Sequence, residues 1–286
     1  MEPQLRFRRD ALAAVPSQSL ILGSEVGVKI RIFLTALLAV APLPLLAQDR
    51  VVTIYTYERM PFFGQINTDA EGFINQITRL IFEDAKVPYV FKKVPVSRIF
   101  ATLAQPGISC VAGAFRTPER EQTYLFSSDY IYQDSSPRYL IRSADQAHYA
   151  SIKNIKDLLT SGKTVGLAEK YSYGTWIDEN VKLYNPPTTV VNIGDNQSAF
   201  MQMLVLKRFD YVFASGEEAS YNLRKNPEFR AAISVKMLAD TPTAGNIRWI
   251  MFSNNFPPDL RERIDKSIPK VKKSKAYRDI VVGLTR

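Results

Sequence analysis

Cysteine and histidine are almost missing: Cys110 and His148 are the only ones among 286 residues. A single cysteine excludes an intramolecular disulfide framework. One of each leaves His/Cys zinc sites and Cys-His or Ser-His machinery without partners. Cys110 sits in ISCVAGAF, which reads as a buried strand with nothing basic beside it, so an inert thiol is expected rather than a nucleophile. His148, in DQAHYA, reads as a loop residue. Neither a metal nor a cofactor is expected. Fixed-period repeats, low-complexity tracts and long linkers are also lacking. The apolar run from Ile32 to Val40 is too short to span a bilayer, and Pro42 and Pro44 interrupt its extension.

What stands around that run is informative. Lys29 and Arg31 precede it, and APLPLLA ends on the small residue Ala47. A basic, an apolar and a cleavage region in this order predict export, a cut after Ala47 and a mature N-terminus at Gln48. With no cysteine near the cut, a lipid anchor is not expected. Residues 1–27 carry no strong pattern and push the signal inward. Either the start is placed too early, with Val28 as initiator, or the basic region is unusually long. In either case residues 1–47 are not part of the expected mature fold.

The remaining chain, roughly 240 residues, is long enough for one large or two small domains. At 46% hydrophobic and 23% charged, the composition is that of a soluble globular protein. Lys and Arg number 37 against 28 Asp and Glu; without residues 1–47 they stand at 32 against 25, a balance of +7. A basic balance favours anionic small molecules, acidic surfaces or nucleic acid. Export argues against nucleic acid.

Strand and helix patterns alternate. VVTIYTY (51–57), VPYVFKKV and ISCVAGAF read as strands. Between them, residues 72–85 place Phe73, Ile77, Leu80, Ile81 and Ala85 at helical spacing, and VSRIFATLAQ is a short helix stopped by Pro106-Gly107. This β-α-β-α-β order predicts a parallel sheet covered by helices. A second unit follows: a helix over SIKNIKDLLTSGK, then strands TVGLAEK, TTVVNI and FDYVFAS with helices between them. A last strand, NIRWIMFSNN, precedes PPDLRERIDKSIPKV and SKAYRDIVVGL, both helical.

The most specific stretch is GAFRTPEREQTYLFSSDYIY (113–132), with T-P-E-R after a strand and then Phe-Ser-x-x-Tyr. In order with it stand M-P-F-F (60–63), E-G-F (71–73) and Y-S-Y-G (171–174). In this order and spacing the chain resembles the bacterial extracellular solute-binding proteins of family 3, over essentially the whole mature length. V-P-V-S-R (94–98) and F-R-T-P-E-R-E (115–121) are closest to a less typical proteobacterial branch. The resemblance implies a two-lobe periplasmic-binding-protein clamshell of type II, an α/β fold with mixed sheets flanked by helices. Lobe one would take residues 48–134 and 245–286, and lobe two residues 135–244. Two hinge crossings would lie near YLIR (139–142) and TAGN (243–246). The ligand would bind between lobes, beyond the carboxyl ends of the strands, and closure would be a hinge motion.

Arg120 offers a bidentate fork for a carboxylate, which Lys cannot reproduce; the resemblance assigns the Arg of T-x-E-R that task. Its plainer alternative is a surface Arg paired with Glu119 or Glu121. Arg98 and Arg116 are further candidates, with solvated or structural roles as the alternative. Ser172 and Tyr173 precede a helix whose N-terminal donors suit an anion, and Ser172 is equally suited to capping. Tyr57, Phe62 and Phe115 could wall in the ligand or simply pack in the core. Glu58 could meet a ligand amine or stand in solvent. Family members that bind amino acids place a Ser/Thr after the lobe-one strand and an acid after the lobe-two strand. Here Gly113, Phe115 and Ser215 stand there, with Glu217 or Glu58 as possible substitutes. An excess of arginine over acid favours an anionic ligand.

The function expected is a monomeric periplasmic solute-binding protein, not an enzyme, that hands a small polar, carboxylate-bearing or amino-acid-like ligand to an inner-membrane ABC permease. Two alternatives stand beside it. One is a sensor partner. The other is a dehydratase of the cyclohexadienyl dehydratase type on the same fold, which would need Glu58 or Glu217 as general acid.

Overall fold

A computed structural model describes residues 50–193 and 196–284. The expected signal segment and its cut after Ala47 lie outside the described residues.

The chain builds two mixed sheets. The first takes β1 (Val52–Thr56), β2 (Tyr89–Lys93), β3 (Ser109–Phe115), β4 (Leu125–Phe126) and β5 (Tyr132–Gln133). The second takes β6 (Arg138–Arg142), β7 (Val165–Ala168), β8 (Thr188–Val191), β9 (Tyr211–Ala214) and β10 (Ile233–Lys236). The chain then returns as β11 (Ile247–Phe252) to the first sheet, whose order is β2-β1-β3-β11-β4, with β5 also on β11. The second sheet runs β10-β6-β9-β7-β8.

The alternation correctly predicts parallel pairing where a helix connects neighbours. Ile54 faces Phe91 on one side and Cys110 on the other in parallel register, and β7 pairs parallel with β8 and β9. It does not foresee the returns: β11 is antiparallel to β3, and β6 to β9 and β10. A strand arriving from the other sheet enters from the opposite end, so each crossing reverses strand direction.

Helices cover both faces of each sheet. In the first half, α1 (Phe73–Asp84), α9 (Pro258–Lys273) and α10 (Lys275–Gly283) close one face around Ile54, Ile77, Phe252 and Ile264. On the opposite face α2 (Ile99–Leu103) packs Ile99 and Leu103 on Val111 and Met251. Burial of such side chains contributes about 1.5–3 kcal/mol each and fixes the helix faces. In the second half, α6 (Gln197–Val205) and α8 (Pro227–Ala232) pack Phe200, Leu204 and Phe229 on Leu140 and Val212. On the other side α4 (Ile155–Leu159) and α5 (Thr175–Tyr184) pack Leu158 and Ile177 on Ile141, Val165 and Phe213. The remaining helices, α3 (Pro118–Glu121) and α7 (Gly216–Lys225), start at the cleft described below.

Some elements differ from expectation. The helix over SIKNIKDLLTSGK shrinks to α4, because Asn154 accepts the Asp157 N–H and Asp157 accepts the Asn154 N–H, a reciprocal cap that starts the helix at Ile155. DQAHYA falls in a 3₁₀ segment, Ser143–Tyr149, on which His148 is exposed. YLIR (139–142) is not a crossing: it lies inside β6, paired on both edges. The first crossing is residues 134–137 and the second residues 237–246. The two are tied together: Asp134 N–H donates to the Asn246 carbonyl at 2.9 Å, Gly245 N–H to the Asp134 carbonyl at 3.1 Å, and Ser136 Oγ to the Thr243 carbonyl at 2.7 Å.

Candidate functional site

Strand direction puts loop after loop at one place. The carboxyl ends of β1, β3, β7 and β9 and the start of β11 face a cleft between the two sheets, the arrangement expected of a ligand site in open α/β sheets. A cavity of about 510 Å³, counted to its open mouth, lies there. A second compartment of about 330 Å³ shares Arg59, Phe115, Ser172 and Arg248 with it.

Tyr57, Phe115, Arg120 and Ser172 come together in the larger compartment. Phe115, Ser172, Tyr173 and Ser215 come together in the smaller one. Arg120 is set by its local sequence. Thr117 caps the turn α3 by accepting the Arg120 N–H, and Pro118 takes the first helical position. The turn aims the side chain back over Phe100, 4.8 Å from its ring centre, while Nη1 donates to the Phe115 carbonyl at 2.7 Å. No carboxylate pairs with Arg120 among the described residues, so neither Glu119 nor Glu121 holds it. Burial pulls its pKa below the ordinary guanidinium value, opposed by Tyr57, Asp178 and Glu119; an arginine stays charged in any case. Burial likewise pushes the Tyr57 hydroxyl up, so it stays neutral.

Gly113 explains one departure from the hydroxyl expected at its position. Its φ is +75°, and a Cβ would come within 2.9 Å of the Phe63 ring. Its carbonyl accepts from Arg248 Nη1 at 3.1 Å.

The turn before α5 is already satisfied from within. Ser172 Oγ–H and Tyr173 N–H both donate to the Asp178 carboxylate, at 2.5 and 3.0 Å, and Gly174 N–H donates to Ser172 Oγ at 3.2 Å. The Tyr173 hydroxyl accepts the Ala168 N–H at 2.8 Å, and burial pushes its pKa up to about 12. The anion-binding donors expected of Ser172 and Tyr173 are thus engaged by Asp178, although both residues line the cleft. Ser215 likewise caps α7, accepting the Glu218 N–H at 3.2 Å.

Five candidates do not line either compartment. Phe62 is fully buried in the first core beneath Arg248. Glu58 pairs with Lys93 at 2.7 Å at the surface. Arg98 is exposed on a 3₁₀ turn. Arg116 pairs with Glu121 at 2.5 Å and lies over Trp249. Glu217 fastens the first crossing, accepting from Ser135 N–H at 2.7 Å, Ser135 Oγ at 2.9 Å and Tyr132 Oη at 2.8 Å. Substitution for a missing acid therefore does not come from Glu58 or Glu217.

Two acids, Asp134 and Glu218, border the smaller compartment, and Glu218, one residue on from Glu217, meets Arg59 from the opposite half. Arg59 Nε and Nη2 donate to its two carboxylate oxygens at 2.6 and 2.9 Å. The Arg59 guanidinium also lies 4.6 Å from the Tyr171 ring centre. Burial weakens the charged form of Arg59, but the charge and hydrogen bonds of Glu218 outweigh it and raise its pKa. A second internal pair borders the same cleft: Arg248 Nε and Nη2 donate to Asp134 at 2.5 and 2.8 Å, with the guanidinium 3.7 Å from the Phe62 ring centre. Burial pushes the Asp134 carboxyl up against the pull of Arg248. Sequence reading missed Arg59, Asp134, Glu218 and Arg248. A count of residues just past each strand end would have flagged Arg59 and Glu218.

Among the described residues, no group of three or more His, Cys, Asp or Glu could hold a metal, and no helix is long and apolar enough to cross a membrane.

No curated protein matches the chain in sequence. Solved structures do match in fold. An ancestral arginine-binding protein bound to arginine is 21% identical with a TM-score of 0.65, over 83% of this chain and 99% of that one. The amino acid ABC transporter substrate-binding protein AbpA from Streptococcus pneumoniae Canada MDR_19A, bound to L-arginine, is 17% identical at 0.63, over 82% and 94%. The arginine-, lysine-, histidine-binding protein ArtJ from Geobacillus stearothermophilus is 20% identical at 0.64, over 82% and 94%. The family model of the bacterial extracellular solute-binding proteins, family 3, matches residues 50–282. This chain therefore belongs to the bacterial extracellular solute-binding proteins, family 3.

Proposed function

We propose that this protein captures a small carboxylate-bearing solute in the cleft between its two halves and delivers it to an inner-membrane ABC permease. Arg120 carries the reading: a guanidinium facing the larger compartment, braced by the Phe115 carbonyl and the Phe100 ring, with no carboxylate of the chain on it among the described residues. Tyr57 and Phe115 would flank the solute. We assign lobe one to residues 48–134 and 245–286 and lobe two to residues 135–244, with export as a periplasmic chain starting at Gln48.

The engagement of Glu58 by Lys93, and of Glu217 by Tyr132 and Ser135, supports a binder over a dehydratase, because neither acid reaches the cleft.

A thermal-shift screen on the mature chain tests the proposal, with amino acids, dicarboxylates, polyamines and oligopeptides as probes. A ligand at a hundredfold excess over its Kd stabilises by about 2.7 kcal/mol. Stabilisation by a carboxylate is expected. Stabilisation by polyamines alone would contradict the proposal.

A further inference from the structure

Among the described residues, the Arg59–Glu218 pair differs from the other ion pairs in joining the two halves inside the cleft itself. Arg59 comes three residues after β1, and its backbone is fixed: Arg59 N–H donates to the Phe63 carbonyl at 2.8 Å and Phe63 N–H to the Arg59 carbonyl at 2.9 Å. Glu218 lies in the first turn of α7, in the second half. Their side chains are 11% and 5% exposed. Arg59 borders both compartments of the cleft, and Glu218 borders the smaller one.

A buried carboxylate facing a ligand cleft is a site for a cation. Here both of its oxygens accept from a guanidinium of the chain itself. A ligand amine could reach Glu218 only by displacing two charge-assisted hydrogen bonds and leaving Arg59 buried without its counter-charge, which is strongly unfavourable. Arg120, by contrast, has no such partner among the described residues, and Lys170 lines the same compartment. Charges contributed by the chain are thus balanced at Glu218 and unbalanced in the positive sense at Arg120.

We propose that Arg59 is a specificity-determining residue: it fills the cation site on Glu218 from within, so that the cleft rejects solutes bearing an amine or guanidinium and accepts carboxylates that bear none. This rests on the cleft being the solute site anchored at Arg120.

The test uses the mature chain, stripped of bound solute, with L-arginine and agmatine as cationic probes and succinate and benzoate as carboxylates. Wild type should give no calorimetric signal with the cationic probes in the micromolar range. Arg59→Gln, shown folded by circular dichroism, should gain about tenfold or more in affinity for them, the effect of one charged hydrogen-bond partner made available. Adding Glu218→Gln should abolish that gain. Should Arg59→Gln not fold, Glu218→Gln alone serves: it releases Arg59 into the cleft and should tighten carboxylate binding several-fold. Micromolar binding of arginine or agmatine by wild type would overturn the proposal. So would a folded Arg59→Gln with no gain, or unchanged carboxylate affinity in Glu218→Gln. Failure of the underlying reading shows separately, as carboxylate binding that Arg120→Ala leaves unchanged.

Discussion

Asp134→Asn should be among the most damaging single-atom changes in this fold. The Asp134 and Arg248 side chains are only 2% and 4% exposed, and two short hydrogen bonds join them across 114 residues of sequence. Asp134 begins the first crossing and Arg248 lies at the start of β11, just after the second. Asparagine keeps the shape and can keep one acceptor. Its amide nitrogen, however, would meet Arg248 Nη2 donor to donor, and the guanidinium would stay buried without its counter-charge. Removing one partner of a buried pair costs about 3–5 kcal/mol, a large part of a typical total of about 5–15 kcal/mol. With a urea slope of about 3 kcal/mol/M, the unfolding midpoint should fall by about 1–1.7 M. Replacing both residues by apolar ones (Asp134→Leu with Arg248→Met) removes the unpaired charge and should cost less than the single change, leaving chiefly the Gly113 carbonyl without its donor. A single variant within about 1 kcal/mol of the parent, by chemical denaturation, would refute the reasoning.

Other outcomes follow from the same geometry. Gly174→Ala combines a φ of +94° with a Cβ that would overlap the Asn246 amide, so it should cost about 1–3 kcal/mol in a thermal melt and weaken solute binding; an unchanged melt would show that the turn can relax. Burial pushes the Cys110 thiol well above its ordinary pKa, so it should react with a thiol reagent only after unfolding, and rapid reaction in native buffer would contradict its placement in β3. Mass spectrometry of the exported protein should find Gln48 at the N-terminus, whereas an intact leader on soluble protein would reject the cut after Ala47.

Local pattern carried the strands and most helices. Alternating β-branched residues in VTIYT bury Val52, Ile54 and Thr56 on one side, as a period of two requires. The helical spacing of Ile77 and Ile81 is the buried stripe of α1. Short elements escaped: β10 is four residues of weak pattern, and its pairing with β6 exists only because the chain doubles back. Within the site, T-P-E-R led to Arg120 because the cap at Thr117 and Pro118 at the first helical position are local chemistry. Glu217 and Glu218 show the limit. Adjacent residues in the first turn of a helix point about 100° apart, and only the tertiary fold decides that Glu217 turns to Ser135 and Glu218 to Arg59. The partner of Arg59 lies 159 residues away, a distance no spacing rule spans.

Calorimetric titration of the mature, solute-stripped protein and of Arg120→Lys and Arg120→Ala, with the best carboxylate from the thermal-shift screen, tests the proposed function most directly. Arg120→Lys keeps the charge and loses the paired donors, so affinity should fall by about 1–3 kcal/mol, roughly 5- to 150-fold. Arg120→Ala should bind more weakly still, with both melts near the parent's because Arg120 otherwise only braces the Phe115 carbonyl and the Phe100 ring. Unchanged affinity in a well-folded Arg120→Ala protein would contradict carboxylate capture at this cleft.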